Sequence, residues 1–416
     1  MTLTDEATTT TTATTATTAT ATTTATTAST AGDALPDEML KRFRDRAAGY
    51  DRTNTFFHDD LDELRAAGYL AVAVPRELGG GGQSLGQVGA QQRRMARYAP
   101  ATALATSMHL YWSGTAAELH RLGDLRHDWI LADTVAGEIF AAGHAESGND
   151  VPVALSTARA ERVEGGYRFY GRKHFGSLSP VWTRFGVHAL DASDPANPVI
   201  VHGFVDRSDT GYEIVELWDT LGMRATQSHD TKLNGVFVPD ARISAVAPAG
   251  RSDDPWSSMM TLWALTLIAN VYLGIAERAF DLAVAAARTK TSIAVERGSL
   301  AYHPMIQHRV SEMFLELDAM RAVVDRLADD FAAGVDHGER WPMQVLSAKW
   351  RAAEGAKRVV DIAVDVAGGQ SMFRASELER LYRDVRAGGF HPGTHAFTHE
   401  MVGKIALGVA ADHPRW

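Results

Sequence analysis

Apolar positions along the chain follow three successive patterns. Over residues 35–135 they recur at intervals of three and four, the spacing of a helix buried on one face. The run breaks near Gly68, Pro75 and the four glycines 79–82, which read as a flexible turn. Over 139–243 the pattern changes to short alternating runs: GYRFYGRKHFG, RFGVHAL, VIVHGFV and TKLNGVFVP. These predict half-buried strands between turns, enough for a compact β-barrel or sandwich. From Pro255 helical spacing returns, predicting four long helices at about 256–288, 303–334, 342–367 and 394–411.

The third of these helices carries Ala348, Ala352, Ala353, Gly355 and Ala356, small enough for close helix packing. Residues 259–276 are apolar over a length that would cross a membrane. Thr261, Thr266 and Asn270 interrupt them, so they read as a buried helix of a bundle, and no membrane partner is expected. The fold class expected is α+β, mainly α. A helical domain spans 34–138, a central β-barrel 139–245 and a helical bundle 255–416. Clefts at their junctions suit a cofactor.

Residues 1–33 stand apart. Thr8 to Thr27 include no aromatic or large aliphatic side chain, which predicts a disordered Thr/Ala-rich tail. It has no apolar core and no Arg, and Asp5 and Glu6 precede it, so it does not read as a presequence. The net charge of −10 over 416 residues, without a basic run, argues against nucleic acid as a partner. The absence of cysteine excludes disulfides, thiolate metal sites and a cysteine nucleophile, and fits a cytoplasmic location. No P-loop, H-E-x-x-H or G-x-S-x-G motif occurs, and no G-x-G-x-x-G follows a strand. His391, His395 and His399 are spaced by four, but Pro392 and Gly393 put the first in a turn, so no metal site is expected.

Five segments, in order, resemble the acyl-CoA dehydrogenase superfamily of flavoenzymes. VPRELGGGGQS (74–84) is similar to its Pro-Glu-x-Gly-Gly signature. AESGNDVPVALSTARA (145–160) is similar to Thr-Glu-Pro-x-x-Gly-Ser-Asp, shortened by about two residues. GYRFYGRKHFGS (166–177) resembles the Gly-x-Lys-x-Trp-x-[Thr/Ser] strand. WDTLGMRATQSHDTKLNGVFVP (218–239) resembles the Gly-x-Arg-x-[Ser/Thr] segment. AGGQSMFRASELERLYRDVRAGGFHPGTH (367–395) resembles the Gly-Gly…Arg-x-x-Arg-Asp…Glu-Gly-Thr stretch.

The resemblance covers about 35–412 and implies the helical domain, barrel and four-helix bundle just described. It implies a flavin between barrel and bundle, FAD with FMN as the alternative, and a homotetramer or dimer sharing each site. Phe175 stands where the family has its flavin-facing Trp. Ser177 stands at the hydroxyl residue near flavin N5 and O4. Two residues apart on a strand, they share a face. Arg297 and Ser299, ahead of Gln307, resemble the run that grips the FAD pyrophosphate of a neighbouring subunit; Arg288 is a rival for Arg297. Gly368 and Gly369 suit a backbone approach to the cofactor, or a helix C-cap. Thr394 matches the Thr of Glu-Gly-Thr. Arg383 and Asp384 read as a structural ion pair.

A dehydrogenase of this family needs a carboxylate to remove the substrate's α-proton. The usual position, before Gly-Thr, holds Pro392. The alternative, on the first bundle helix, falls at Ala264, and no Glu lies between Glu216 and Glu277. Glu400 is eight residues past Pro392, about 12 Å along a helix. The resemblance therefore points to the family's oxygenase branch, which receives reduced flavin from a separate flavin reductase and works through a flavin C4a-peroxide. There His391 is the first candidate for proton transfer and His109 the second. The alternative is an acyl-CoA dehydrogenase with a displaced base, acting on an acyl-CoA and passing electrons to an electron-transfer flavoprotein. A third reading is a flavin-binding scaffold without turnover.

Overall fold

The computed structural model describes residues 34–151, 153–250, 254–296 and 298–409; the Thr/Ala tail and Arg297 lie outside them. Five helices come first: α1 (Asp37–Thr53), α2 (His58–Ala66), α3 (Leu85–Ala96), α4 (Pro100–Arg121) and α5 (Asp128–Val135). Eight strands follow: β1 (Phe140–Gly143), β2 (Arg159–Val163), β3 (Gly166–Gly176), β4 (Arg184–Asp191), β5 (Val199–Asp206), β6 (Tyr212–Val215), β7 (His229–Pro239) and β8 (Ile243–Pro248). The last helices are α6 (Pro255–Thr289), α7 (Pro304–Ala332), α8 (Trp341–Ala367), α9 (Glu377–Val385) and α10 (His395–Leu407).

Local sequence sets the helix starts. Ser84 and Gln87 form a capping box on α3. Asp254 caps α6 and His303 caps α7, each followed by a proline at the first helical position, where no backbone donor is missed. Residues 79–82 are not the loose turn that four glycines suggest. Gly81 and Gly82 N–H donate to Ala71 and Val74 carbonyls at 3.0 and 2.8 Å. A Cβ on Gly80 would lie 2.3 Å from the Val74 oxygen, so the glycines are there for close packing.

The long apolar helix α6 is the hub, with its apolar stretch inside the protein. Small residues bring its neighbours close: a Cβ on Gly274 of α6 would lie 2.2 Å from the Arg93 carbonyl of α3. Residues of α1, α3, α4, α6, α7, α8 and α9 share one apolar core, so the helices on both sides of the sheet pack together. A second core lies under the sheet, around Phe169, Phe185, Val201 and Val236. The sheet runs β6-β7-β3-β2-β4-β5-β8, with β1 parallel to β4. No pairing among the described residues joins β6 to β8, so the ladder is open along that edge.

Candidate active site

A cavity of about 510 Å³ opens between the sheet and the helices. The ends of β1 and β3 and the 218–228 segment form one wall. Helices α4 and α6, the 386–393 segment and Phe397 of α10 form the others. Its inner part is apolar, with Leu104, Met108, Met260, Leu265 and Ile268 facing it. Not one of its lining residues is Asp or Glu, although the chain carries 51 acidic residues. The charged or titratable lining groups are Arg383, Arg386, His144, His174, His391 and Tyr111.

Carboxylates next to the wall are already engaged. Glu146, beside the lining residue Ala145, accepts from Lys173 at 2.5 Å, from Ser156 and Asn149, and from the Thr157 and Ala158 N–H groups. Burial pushes its carboxyl pKa up, but the Lys173 charge and hydrogen bond outweigh that and hold it below the usual value. Asp230 accepts from Arg172 and sits 2.7 Å from His174 Nδ1. Asp384 accepts the Met223 N–H. Arg383 pairs with Asp51 and Glu379, which corrects its expected pairing with Asp384. Arg386 is exposed, with no ion-pair partner among the described residues.

Phe175 and Ser177 both line the cavity, though not by simple strand alternation. The β3–β7 register shifts between Lys173 and Gly176, and Phe175 takes a left-handed φ of 57°. An aromatic residue there costs about 1–3 kcal/mol of strain. The bulge turns the ring outward, 56% exposed, edge-on to Trp218 at 6.0 Å. Ser177 Oγ lies 2.7 Å from Ser228 Oγ, and Ser228 Oγ 2.7 Å from Thr226 Oγ.

His391 also lines the cavity, and Tyr272 Oη lies 2.7 Å from its Nε2. Burial, then the nearby Lys349 ammonium, push its pKa down to about 3, so the ring is neutral at pH 7. Burial raises the Tyr272 pKa well above the usual phenol value. The Tyr272 hydroxyl has no other acceptor among the described residues, so it donates to Nε2, and the proton of the neutral His391 ring sits on Nδ1. Lys349 on α8 donates to the carbonyls of Gly388, His391 and Gly393 at 3.0, 3.2 and 3.0 Å, which pins this loop. Neither Tyr272 nor Lys349 stood out in the sequence. Their signal is a polar side chain inside an apolar or small-residue helix face, at 259–276 and at 345–356.

The other candidates fall elsewhere. His109 is fully buried: Phe140 N–H donates to its Nδ1 at 3.1 Å, so Nε2–H donates to Leu70 O at 2.9 Å. Both nitrogens are occupied and the ring does not line the cavity, which corrects its expected catalytic place. Thr394 does not line it either; its Oγ caps α10 by accepting from Phe397 N–H. Gly368, with φ 72°, ends α8 as a C-cap, and Gly369 follows it. Ser299 bonds the Ala287 and Arg288 carbonyls, and Gln307 the Ala301 carbonyl, all away from the cavity of this chain. His395 and His399 stack at 4.0 Å, and among the described residues no group of three His, Cys, Asp or Glu can hold a metal. Ala264 and Pro392, which the motif resemblance sets at the two positions of the family's base, both sit in the cavity wall.

The acyl-CoA dehydrogenase N-terminal domain model matches residues 31–124, and the C-terminal domain model matches 261–407. YdbM of Bacillus subtilis, a provisionally named acyl-CoA dehydrogenase, is 30% identical over 85% of this chain and 91% of its own length. L-evernosamine nitrososynthase of Micromonospora is 28% identical over 90% of this chain and 89% of its own. The solved structure of KijD3 with FMN and dTDP-3-amino-2,3,6-trideoxy-4-keto-3-methyl-D-glucose is 27% identical, with a TM-score of 0.79, covering 92% of this chain and 95% of that one. The matched domains and these full-length similarities, on the same helix–sheet–helix plan, show that the chain belongs to the acyl-CoA dehydrogenase superfamily and is a flavin-dependent oxidoreductase.

Proposed function

We propose that the chain is a monooxygenase that takes reduced FMN from a separate reductase and oxygenates a small substrate. The observation that carries this reading is the cavity wall without a carboxylate, with Ala264 and Pro392 at both base positions. The residues present fit a flavin: the Phe175 and Trp218 rings offer flat surface, Ser177 a polar contact and the inner side chains a dry chamber. FMN is favoured over FAD by its presence in the KijD3 complex. When bound, the reduced flavin supplies the two electrons with which dioxygen is split, one oxygen atom passing to the substrate and the other to water.

The chain's own residues do the rest. Leu104, Met108, Met260 and Ile268 exclude water from the reacting end. His391, neutral and tethered by Tyr272, holds a proton on Nδ1 at the cavity wall. Lys349 keeps its loop in place. Arg386, without a carboxylate partner among the described residues, favours a ligand bearing an anionic group such as a phosphate. Together with the relatives, this makes an amine-bearing sugar nucleotide the first substrate class to test.

The test is single-turnover incubation with reduced FMN, isotopically heavy dioxygen and a nucleotide-linked amino sugar, with products read by mass spectrometry. The reading expects heavy oxygen on the substrate nitrogen. Consumption of dioxygen to hydrogen peroxide alone, across amine and thioether substrates, contradicts it.

A further inference from the structure

Three hydroxyls on one wall of the cavity form a chain whose protons can run in only one direction. Thr226 Oγ lies 2.9 Å from the Met223 carbonyl oxygen. A carbonyl only accepts, so Thr226 donates its single proton there. Ser228 Oγ, 2.7 Å from Thr226 Oγ, must then be the donor in that pair. Its proton is committed in turn, so Ser177, 2.7 Å from Ser228, must donate to it. All three side chains are buried, which limits exchange with bulk water. All three residues line the cavity, and Ser177, at the head of the chain with its own proton committed to Ser228, offers it lone pairs only. A ligand atom that faces it gains a hydrogen bond if it carries a proton, and meets lone pair against lone pair if it does not.

The flavin ring changes in that respect with its redox state. Its central nitrogen bears a proton when reduced and a lone pair when oxidised. We infer that the one-way chain from Ser177 to the Met223 carbonyl makes the cavity select reduced over oxidised flavin. Ser177 is the discriminating contact, and Ser228 and Thr226 are positioning residues that fix its polarity. The inference rests on the flavin reading above and adds to it a reason for selectivity. An enzyme supplied by a separate reductase must reject the oxidised flavin that predominates in air and release it after each turnover.

The test is anaerobic equilibrium ultrafiltration of the full chain with oxidised FMN and with dithionite-reduced FMN. One hydrogen bond gained and one repulsion avoided predict reduced FMN to bind at least about tenfold tighter to the wild type. In Thr226→Val the anchor is gone, Ser228 can turn its proton toward Ser177, and Ser177 can donate into the cavity. The preference is then expected to fall to within about threefold. Thr226→Ser restores the anchor and the preference. Ser228→Ala frees the Ser177 proton directly and gives the same loss if Thr226→Val fails to fold. A preference undiminished in both variants, or equal affinities in the wild type, overturns the inference and leaves the flavin reading standing. A wild type that binds neither form overturns the flavin reading itself and the inference with it.

Discussion

Lys349 is a buried ammonium held only by carbonyl groups, and replacing it tests how the His391 loop is held. Burial pushes its pKa down to about 7, only partly countered by Glu354. In the unfolded chain a lysine titrates near about 10.4. Between these values the folded state binds fewer protons than the unfolded state, so stability rises as pH rises through that window and is lost as pH falls toward 7. A shift of roughly three pH units corresponds to about 4 kcal/mol. Lys349→Met removes this titration and leaves three carbonyls without their donor, each worth about 1–3 kcal/mol if water does not reach it. The two effects oppose each other near pH 7. At pH 10 only the lost hydrogen bonds remain, and the variant is expected to fall behind. Urea unfolding followed by tryptophan fluorescence should therefore show the wild-type advantage growing by about 4 kcal/mol from pH 7 to pH 10. Other groups that titrate there are common to both proteins and cancel. Parallel stability profiles over that range would mean that Lys349 keeps its proton in the folded chain up to pH 10, and would refute the lowered pKa that burial gives it.

Three further outcomes follow from the same geometry. His391→Ala should retain flavin affinity and lose most product formation, and unaltered turnover would remove this ring from the mechanism. Lys173→Met leaves Glu146 charged and buried without its cation, and should cost about 3–5 kcal/mol in urea unfolding. Lys173→Met/Glu146→Gln should recover much of that, and a single variant within about 1 kcal/mol of wild type contradicts the pairing. Burial lowers the pKa of His109 and of His202 to about 4, against about 6.5 when unfolded. Their contribution is present above pH 6.5 and is lost as pH falls toward 4, up to roughly 3 kcal/mol each. His202→Phe should flatten the acid limb of the stability profile, and an unchanged slope counts against a neutral buried ring.

Periodicity made the long helices legible because each presents a continuous apolar face. Expected bounds of 256–288, 303–334 and 342–367 lie close to Pro255–Thr289, Pro304–Ala332 and Trp341–Ala367. Periodicity does not separate the short helix Glu377–Val385 from its loop, since its nine residues make only about two and a half turns. Phe175, Ser177 and His391 do meet at one cavity, but the reason differs from strand alternation. A bulge reaims the ring, and no local pattern announces a left-handed phenylalanine. His109 shows the opposite limit. Its place in TSMHLYW looks available for chemistry until the carbonyl of Leu70 and the N–H of Phe140, distant in sequence, occupy both nitrogens. The hydroxyl chain was invisible for the same reason, because Ser177 and Ser228 are 51 positions apart.

The absence of a base at the cavity is tested most directly by anaerobic titration of the FMN- or FAD-loaded protein with a series of acyl-CoA thioesters, followed by the flavin's visible absorption. With Ala264 and Pro392 in the wall, and Glu146 held by Lys173, the flavin band should persist through every thioester. Stoichiometric bleaching by any one of them, with the matching enoyl-CoA recovered, would show that a carboxylate reaches the substrate and that the chain desaturates acyl-CoA.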